Sequence, residues 1–170
     1  MAFFIESIEN IILFLMNTIE VPFEIRELAD SQNMQPILIA HIDEYPVCLV
    51  IDTGASHSCL SKKLIKQFVN KKEVKADVVM GVGRGRLNNK LVEIPSFRIG
   101  KLEIRNHLFL SLQISHINKM LTALGIEPID GLLGSDILVA YKAIIDYSTQ
   151  KIAFHIEEEL GNKREENIVI

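Results

Sequence analysis

The residues best suited to chemistry stand at the end of an apolar run. Residues 48–51 read Cys-Leu-Val-Ile, and Asp52, Thr53 and Gly54 follow directly. An uninterrupted apolar run of this kind is typical of a strand that is buried on both faces. A carboxylate at the end of such a strand must be solvated, paired or used in chemistry, because burying an unpaired charge is costly. Asp52 is therefore the candidate catalytic residue.

The chemistry open to Asp52 is the activation of water, provided that a second carboxylate stands close by. Two carboxylates at short range cannot both ionise, so they share one proton. The ionised member can then draw a proton from water while the protonated member donates to a substrate carbonyl. The hydroxyl of Thr53 can hydrogen-bond to backbone across the pair, and Gly54 allows two backbones to approach closely.

Two glycine-containing stretches add to the pattern around Asp52. Leu132, Leu133 and Gly134 again place a glycine after apolar residues, about eighty residues further on. Residues 81–85, Gly-Val-Gly-Arg-Gly, indicate a flexible hairpin tip. This tip lacks the full Gly-x-Gly-x-x-Gly pattern and the lysine of a phosphate-binding loop, so a nucleotide site is disfavoured.

The octapeptide that runs from Leu49 to Ser56 resembles the active-site loop of the retropepsin-like aspartic proteases. The stretch Leu132-Leu133-Gly134 is similar to the second apolar-apolar-Gly element of that family. Residues 129–136, followed by 145–147, are most similar to its cellular and bacterial members. The resemblance covers roughly residues 36–156 and implies a small closed β-barrel that supplies one aspartate to a site on a homodimer axis. The sequence agrees, since it holds one Asp-Thr-Gly and no Asp-Ser-Gly.

The resemblance also implies roles for individual residues. The activity would be that of an aspartic endopeptidase, with Asp52 of each subunit catalytic and Thr53, Gly54 and Ala55 supporting it in the loop. A hairpin flap would close over a peptide or protein substrate bound by strand addition. The flap candidates are Gly81, Val82 and Gly83, and the substrate-pocket candidates are Val50, His57 and Leu132.

The chain departs from the compact viral members of this family. Ser135 and Asp136 stand where viral enzymes have Arg followed by Asn or Asp, so the viral pattern of subunit contacts is not expected. Ala55, rather than serine, follows the motif glycine. Because the Asp52 carboxylate then has one hydroxyl fewer to stabilise it, we predict a working pH from mildly acid to neutral. Extra structure, with residues 115–124 as the candidate, is inserted between the two motifs.

Composition argues against several other functions. The formal net charge is −4 and no basic cluster is longer than a lysine pair, which argues against nucleic acid as a partner. The two cysteines, Cys48 and Cys59, lack metal-ligand spacing and indicate reduced thiols in a cytoplasmic protein. The five histidines are scattered, so neither a metal nor a cofactor is expected. The acids near glycines or turns are interpreted as caps and turn residues: Asp130, Asp136 and Asp146.

Residues 1–16 are apolar enough to raise the question of a membrane segment. Glu6 and Glu9 interrupt the run, no Lys or Arg precedes Arg26, and the longest unbroken apolar stretch is too short for a signal peptide or a membrane span. Apolar residues at three- and four-residue spacing, as far as Ile19, predict an amphipathic helix instead.

The remaining patterns predict a mainly β protein with a few short helices. Strands are predicted at residues 21–28, 36–42, 45–52, 74–80, 91–99, 102–112, 126–134, 143–146 and 151–156. Short helices are predicted after Ser61, at 115–124 and at 135–141. So many short strands favour a closed β-barrel. The chain then divides into an N-terminal helix and arm at 1–32, the protease-like domain at 33–156 and a charged tail at 157–170.

Two interpretations other than a protease stay open on the sequence alone. One is a non-catalytic homodimeric domain on the same fold, which binds peptides or only dimerises. The other is a β-barrel in which Asp-Thr-Gly occurs by chance, with no two-fold axis near Asp52. The intact Asp52 favours the enzyme.

Overall fold

The computed structural model describes residues 18–27, 34–68, 73–74 and 90–156, and the chain there is mainly β. The first strands are β1 (Thr18–Pro22), β2 (Glu24–Glu27), β3 (Met34–Ile42), β4 (Tyr45–Ile51), β5 (Cys59–Ser61) and β6 (Glu73–Val74). The later strands are β7 (Leu91–Ile99), β8 (Leu102–Leu112), β9 (Gly131–Leu133), β10 (Ile144–Asp146) and β11 (Lys151–His155). The described helices are α1 (Lys62–Phe68), α2 (Ser115–Ala123) and α3 (Ser135–Ala140), and none of these could cross a bilayer.

Six of the strands close into a barrel, as the sequence predicts. They follow the order β3-β4-β9-β5-β8-β7, and the pairing of His41 with Arg98 joins β7 back to β3. Strand β2 extends β3 outside the ring, and β6 extends β7. Closure leaves the ring strands paired on both sides, which removes the exposed edges of an open sheet.

The barrel interior is filled by alternate residues of its strands. Strands β7 and β8 form a long hairpin with Gly100 in its turn, and Phe97 and Phe109 meet edge to face at 4.8 Å between ring centroids. Other fully buried side chains of this core include Leu38, Leu49, Leu60, Ile94 and Leu133. Each fully buried side chain of this size contributes roughly 1.5–3 kcal/mol relative to exposure, so this core dominates the stability of the barrel.

A small second sheet joins residues from the predicted arm to the end of the domain. Strand β11 lies between β1 and β10, and Ile19 pairs with Phe154. The prediction of a helix reaching Ile19 is wrong at that residue, because Ile19 and Val21 follow the two-residue period of a strand and pair with β11. The helix predicted at 1–16 lies outside the described residues.

Two predicted strands differ from the structure. The strand predicted at 21–28 is interrupted at Phe23, whose N–H donates to the Gln150 carbonyl at 2.9 Å, and β1 and β2 then join different sheets. The strand predicted at 126–134 is confined to Gly131–Leu133. Before β9, the side chain of Asn118 makes the hydrogen bonds to Ile129 that a neighbouring strand would otherwise make. Its Nδ2 donates to the Ile129 carbonyl at 2.8 Å, and its Oδ1 accepts the Ile129 N–H at 3.1 Å.

Candidate active site

Asp52 leaves the barrel directly after β4, at the point where β4 lies parallel to β9. Leu49 pairs with Gly131 and Ile51 with Leu133. The N–H of Asp52 then donates to the Leu133 carbonyl at 3.0 Å, so the pairing continues onto the loop itself. The second apolar-apolar-Gly element thus runs beside the Asp52 loop, and the position of the Asp52 main chain is fixed by the barrel.

The loop after Asp52 closes on its own backbone. One oxygen of the Asp52 carboxylate accepts the N–H of Gly54 at 3.0 Å, and the Asp52 carbonyl accepts the N–H of Ala55 at 3.2 Å. Asp52 is half-buried, whereas Thr53 and Gly54 are exposed in the isolated chain. The carboxylate is therefore oriented by a main-chain donor while remaining open to solvent on one side.

Residues at the start of α3 hold the far side of the same loop. The hydroxyl of Ser135 donates to the Thr53 carbonyl at 2.9 Å, and its N–H donates to the Ala55 carbonyl at 2.8 Å. Gly134 passes so close to the loop that a Cβ there would stand 2.6 Å from the carbonyl carbon of His57. The prediction of a short helix at 135–141 did not indicate these bonds, which form only because β9 approaches the loop.

A buried polar network ties α3 to the residue that follows the loop. Ser58 is fully buried. Its hydroxyl donates to one carboxylate oxygen of Asp136 at 2.6 Å, and its N–H donates to the same oxygen at 2.8 Å. The Ser58 hydroxyl oxygen also accepts the N–H of Gly134 at 2.9 Å. Nε2 of His107 lies 3.1 Å from the other oxygen of Asp136. The interpretation of Asp136 as a helix cap captured only its bond from the Ile137 N–H, at 2.9 Å.

These bonds set the ionisation of Asp136. Burial raises the pKa of this carboxyl, but hydrogen bonds from His107, from Ser58 and from the Ile137 N–H outweigh burial and lower the pKa to about 2. The carboxylate is thus ionised throughout the ordinary pH range. Its side chain is 18% exposed, so solvent screens these bonds only weakly.

We expect Asp136 to make the stability of the protein depend on acid pH. The pKa of Asp136 is lower in the folded protein than in the unfolded chain. Its contribution to the free energy of unfolding is therefore complete above about pH 4 and is lost as the pH falls towards 2. A pKa shift of this size corresponds to about 2 kcal/mol. Asp136→Ala should therefore cost about 3 kcal/mol at pH 7, since Ser58 loses its acceptor, and clearly less at pH 2.5. Urea unfolding at both pH values measures this.

Asp136→Asn is the matched control for that experiment. The amide oxygen can still accept the Ser58 bonds, so the loss at pH 7 should be well below that of the alanine variant. Equal losses for Asp136→Ala at pH 7 and pH 2.5 would contradict the assignment of the pH dependence to this carboxylate.

Three of the predicted site residues share one cavity. A cavity of about 220 Å³ is lined by Asp52, Val50 and Leu132, together with residues of β3, α2 and the segment after α2. His57 does not line it; its Nδ1 lies 3.0 Å from the hydroxyl of Ser56. A larger cavity, of about 490 Å³, lies between α1 and α2 and does not include Asp52, so the smaller one is the candidate for substrate binding.

The remaining candidates divide into structural residues and undescribed ones. Asp130 accepts the Cys48 N–H at 3.0 Å, and Asp146 accepts the N–H and the hydroxyl of Ser148 at 2.8 and 2.6 Å.

Burial raises the pKa of the Cys59 thiol to about 11, so this cysteine is neutral and unreactive at neutral pH. The predicted flap, Gly81, Val82 and Gly83, lies outside the described residues.

Comparison with known proteins identifies the family. A family model described as aspartyl protease matches residues 38–137, which is more than half of the chain. The chain belongs to the aspartyl protease family. The match spans the barrel from β3 to the first turn of α3, so it includes both the Asp52 loop and the β9 element that holds it. The resemblance stated from the sequence is thereby confirmed.

One solved structure supports this assignment at the level of the fold. A retropepsin-like aspartic protease from Rickettsia conorii matches with 18% sequence identity and a TM-score of 0.53, over 81% of this chain and 89% of that one. The retroviral protease-like domain of Ddi1 from Leishmania major matches with 18% identity and a TM-score of 0.43, over 73% of this chain and 96% of that one. A search of curated proteins found no match. The family and the retropepsin-like barrel are established, and the roles of individual site residues stay predictions.

Proposed function

We propose that this protein is an aspartic endopeptidase that hydrolyses peptide bonds as a homodimer, with Asp52 of each subunit forming the catalytic pair. The observation that carries the proposal is the setting of Asp52. Its carboxylate is half-buried, is oriented by the Gly54 N–H and lines an apolar cavity, while barrel and α3 bonds fix its loop from both sides. Preorganisation of this kind is what a carboxylate needs if it is to place a water molecule against a substrate.

A second copy is required because one chain supplies one such loop. The sequence holds one Asp-Thr-Gly. Thr53 and Gly54, on the flank of Asp52, are exposed in the isolated chain, so a second loop has room to pack there. Two Asp52 carboxylates across this contact would share one proton, and their titration would belong to the pair.

The reaction follows from this shared proton. The ionised Asp52 takes a proton from water, whose oxygen adds to the carbonyl carbon of the scissile peptide bond. The protonated Asp52 of the partner subunit donates its proton to the carbonyl oxygen, which gives a neutral diol. The C–N bond then breaks as the nitrogen takes the proton held by the first Asp52, while one hydroxyl of the diol returns a proton to the Asp52 of the partner subunit. The products are a carboxylic acid and an amine, and the pair again holds one proton.

The test is cleavage of a peptide library by the wild type and by Asp52→Asn. The asparagine keeps the size and the acceptor oxygen of the side chain but cannot take the proton from water, so we expect the wild type to cleave and the variant to lose cleavage by at least about a thousandfold. Equal cleavage by both would sink the mechanism. Binding of peptides without cleavage by the wild type would favour the non-catalytic peptide-binding interpretation.

A further inference from the structure

The larger cavity lies at the end of the barrel that is remote from Asp52. Its lining includes Tyr45, the first residue of β4, and Asp130, which directly precedes β9. Asp52 follows the other end of β4, and the seven residues of that strand span about 23 Å at about 3.3 Å per residue. Because β4 and β9 run in the same direction, the cavity and the Asp52 loop lie at opposite ends of this strand pair. The cavity is therefore separate from the site proposed for peptide hydrolysis.

The cavity has the size of a small-molecule site, and its walls are held in place. Its volume is about 490 Å³, and sites for whole small molecules have volumes of about 300–1,000 Å³. On one side, the hydroxyl of Ser61 accepts the N–H of Leu64 at 3.1 Å and so holds the start of α1. On the other side, two hydrogen bonds from the Asn118 side chain to the backbone of Ile129 hold α2. The space between the two helices is therefore formed by the chain itself.

The lining carries an excess of positive charge. Of the described residues that line the cavity, three are lysines, Lys62 and Lys63 from α1 and Lys119 from α2, and one is acidic, Asp130. Asp130 already accepts the N–H of Cys48 at 3.0 Å. Within the part of the chain that the structure describes, none of the three lysines takes part in an ion pair. Unpaired cations thus meet at one cavity in a chain whose formal net charge is −4.

The uncharged part of the lining offers hydrogen-bond donors and an apolar surface. The side-chain amides of Gln67 and Gln113 supply N–H groups, and one N–H of Gln113 donates to the hydroxyl of Ser115 at 2.8 Å. The apolar surface is contributed by Tyr45, Leu64, Leu112, Ile114 and Pro128. Cations and amide donors beside an apolar surface suit a ligand in which an anionic group is joined to an apolar body.

The same lining disfavours two other classes of ligand. A metal cation would face three lysines, and the described residues include no group of three or more His, Cys, Asp or Glu side chains that could hold one. Nucleic acid is bound through many phosphates along a basic surface, whereas these lysines meet at a single cavity.

We propose that this cavity is a binding site for a small phosphate monoester with an apolar body. A phosphate monoester carries about two negative charges at pH 7, which matches the excess of lysines over acids in the lining. Lys62 and Lys119 bind the phosphate from the two helices, Gln67 donates a further hydrogen bond, and the body packs against Leu64 and Ile114. This site goes beyond the proposed endopeptidase function, and its occupation does not depend on cleavage.

The experiment is calorimetric titration of the full chain with probes that share one body and differ in charge. The probes are 1-naphthyl phosphate, 1-naphthoate and 1-naphthol, and inorganic phosphate is the probe without a body. We expect 1-naphthyl phosphate to bind more tightly than 1-naphthoate by about fivefold and more tightly than either 1-naphthol or inorganic phosphate by at least about tenfold. Raising sodium chloride from about 50 to 300 mM should weaken its binding severalfold, because salt screens the lysines.

Two results of this titration would overturn the proposal. Inorganic phosphate that binds as tightly as 1-naphthyl phosphate would show that exposed lysines act without the cavity. No binding of 1-naphthyl phosphate, or equal binding of 1-naphthol, would show that the lysines do not select an anion.

Variants of α1 and α2 connect the binding to this cavity. Replacing both Lys62 and Lys119 by glutamine should weaken the binding of 1-naphthyl phosphate by about tenfold, and Gln67→Glu, which adds an acid to the lining, should have a similar effect. Lys66→Gln is the matched control, since Lys66 belongs to α1 but does not line the cavity, and it should change the affinity by less than about twofold. Equal weakening by Lys66→Gln and by the cavity variants would overturn the proposal.

Two further measurements separate the site from folding and from the site at Asp52. Thermal unfolding of each variant, whose replaced side chains are exposed or half-buried, shows whether the folded protein is retained. Asp52→Asn should bind 1-naphthyl phosphate as the wild type does, and the probe should shift backbone amide signals of residues 61–67 and 112–119 in NMR spectra. Amide shifts centred on the Asp52 loop, or a loss of binding in Asp52→Asn, would place the probe at the other site and overturn the proposal. Binding of the probe by a wild type that cleaves no peptide would leave this site standing and remove the endopeptidase function.

Discussion

Dimers that combine one wild-type subunit with one Asp52→Asn subunit should be inactive. Catalysis by a shared proton needs two carboxyl groups, and the mixed dimer has one carboxyl and one amide that cannot take part in proton transfer. The activity of a mixed population therefore depends on the square of the wild-type fraction. If the variant is co-expressed at roughly nine times the amount of wild type, cleavage per wild-type subunit should fall by about tenfold, since few wild-type subunits find each other.

The readout is kcat/KM per wild-type subunit across a series of mixing ratios, with the two versions carrying different affinity tags so that mixed dimers can be isolated. A variant that keeps Asp52 and shortens an exposed side chain, Val139→Ala, is the control and should leave the activity unchanged. Full activity in purified mixed dimers would contradict the two-carboxylate mechanism, because one Asp52 would then suffice.

Replacing Gly131 by alanine should destabilise the protein by more than about 4 kcal/mol, a loss that few single substitutions reach. A Cβ at this position would stand 1.9 Å from the Cys59 carbonyl oxygen. Strand β9 is paired with β4 on one side and with β5 on the other, so neither backbone can move aside without breaking the barrel. With a typical total stability of about 5–15 kcal/mol, the variant should be unfolded or close to it.

Gly125→Ala provides the comparison for this prediction. Gly125 has φ +72° and has no atom within 4 Å of an added Cβ, so its replacement costs only the left-handed backbone strain, about 1–2 kcal/mol. Urea unfolding of the two variants measures the difference. A Gly131→Ala protein that unfolds within about 1 kcal/mol of the wild type would show that β9 is not packed between β4 and β5 as described.

The parts of this fold that sequence reasoning predicted are those with strong local patterns. The run that ends at Asp52 is apolar at every position, which marks a strand buried on both faces, and it is β4 of the barrel. The strands at 91–99 and 102–112 alternate around Gly100, and they form the β7–β8 hairpin with the predicted bounds. The second apolar-apolar-Gly element was found because it repeats the pattern of the first.

The parts that sequence reasoning missed depend on contacts between distant residues. Strand β5 has three residues, too few to show any period, and it exists because β8 and β9 lie on either side of it. Ser58 and Asp136 are 78 residues apart, and His107 and Asp136 are 29 apart, so no local pattern indicates that they meet. The strand predicted at 126–134 begins only at Gly131, because the side chain of Asn118 occupies the hydrogen-bonding groups of Ile129.

The separation of the two Asp52 carboxylates in a crystal structure of the homodimer tests the central claim most directly. We predict that the nearest oxygens lie within hydrogen-bond reach, about 2.6–3.2 Å, or are bridged by one water molecule. Carboxylates that lie far apart, or that face solvent in every assembly of the chain, would contradict it.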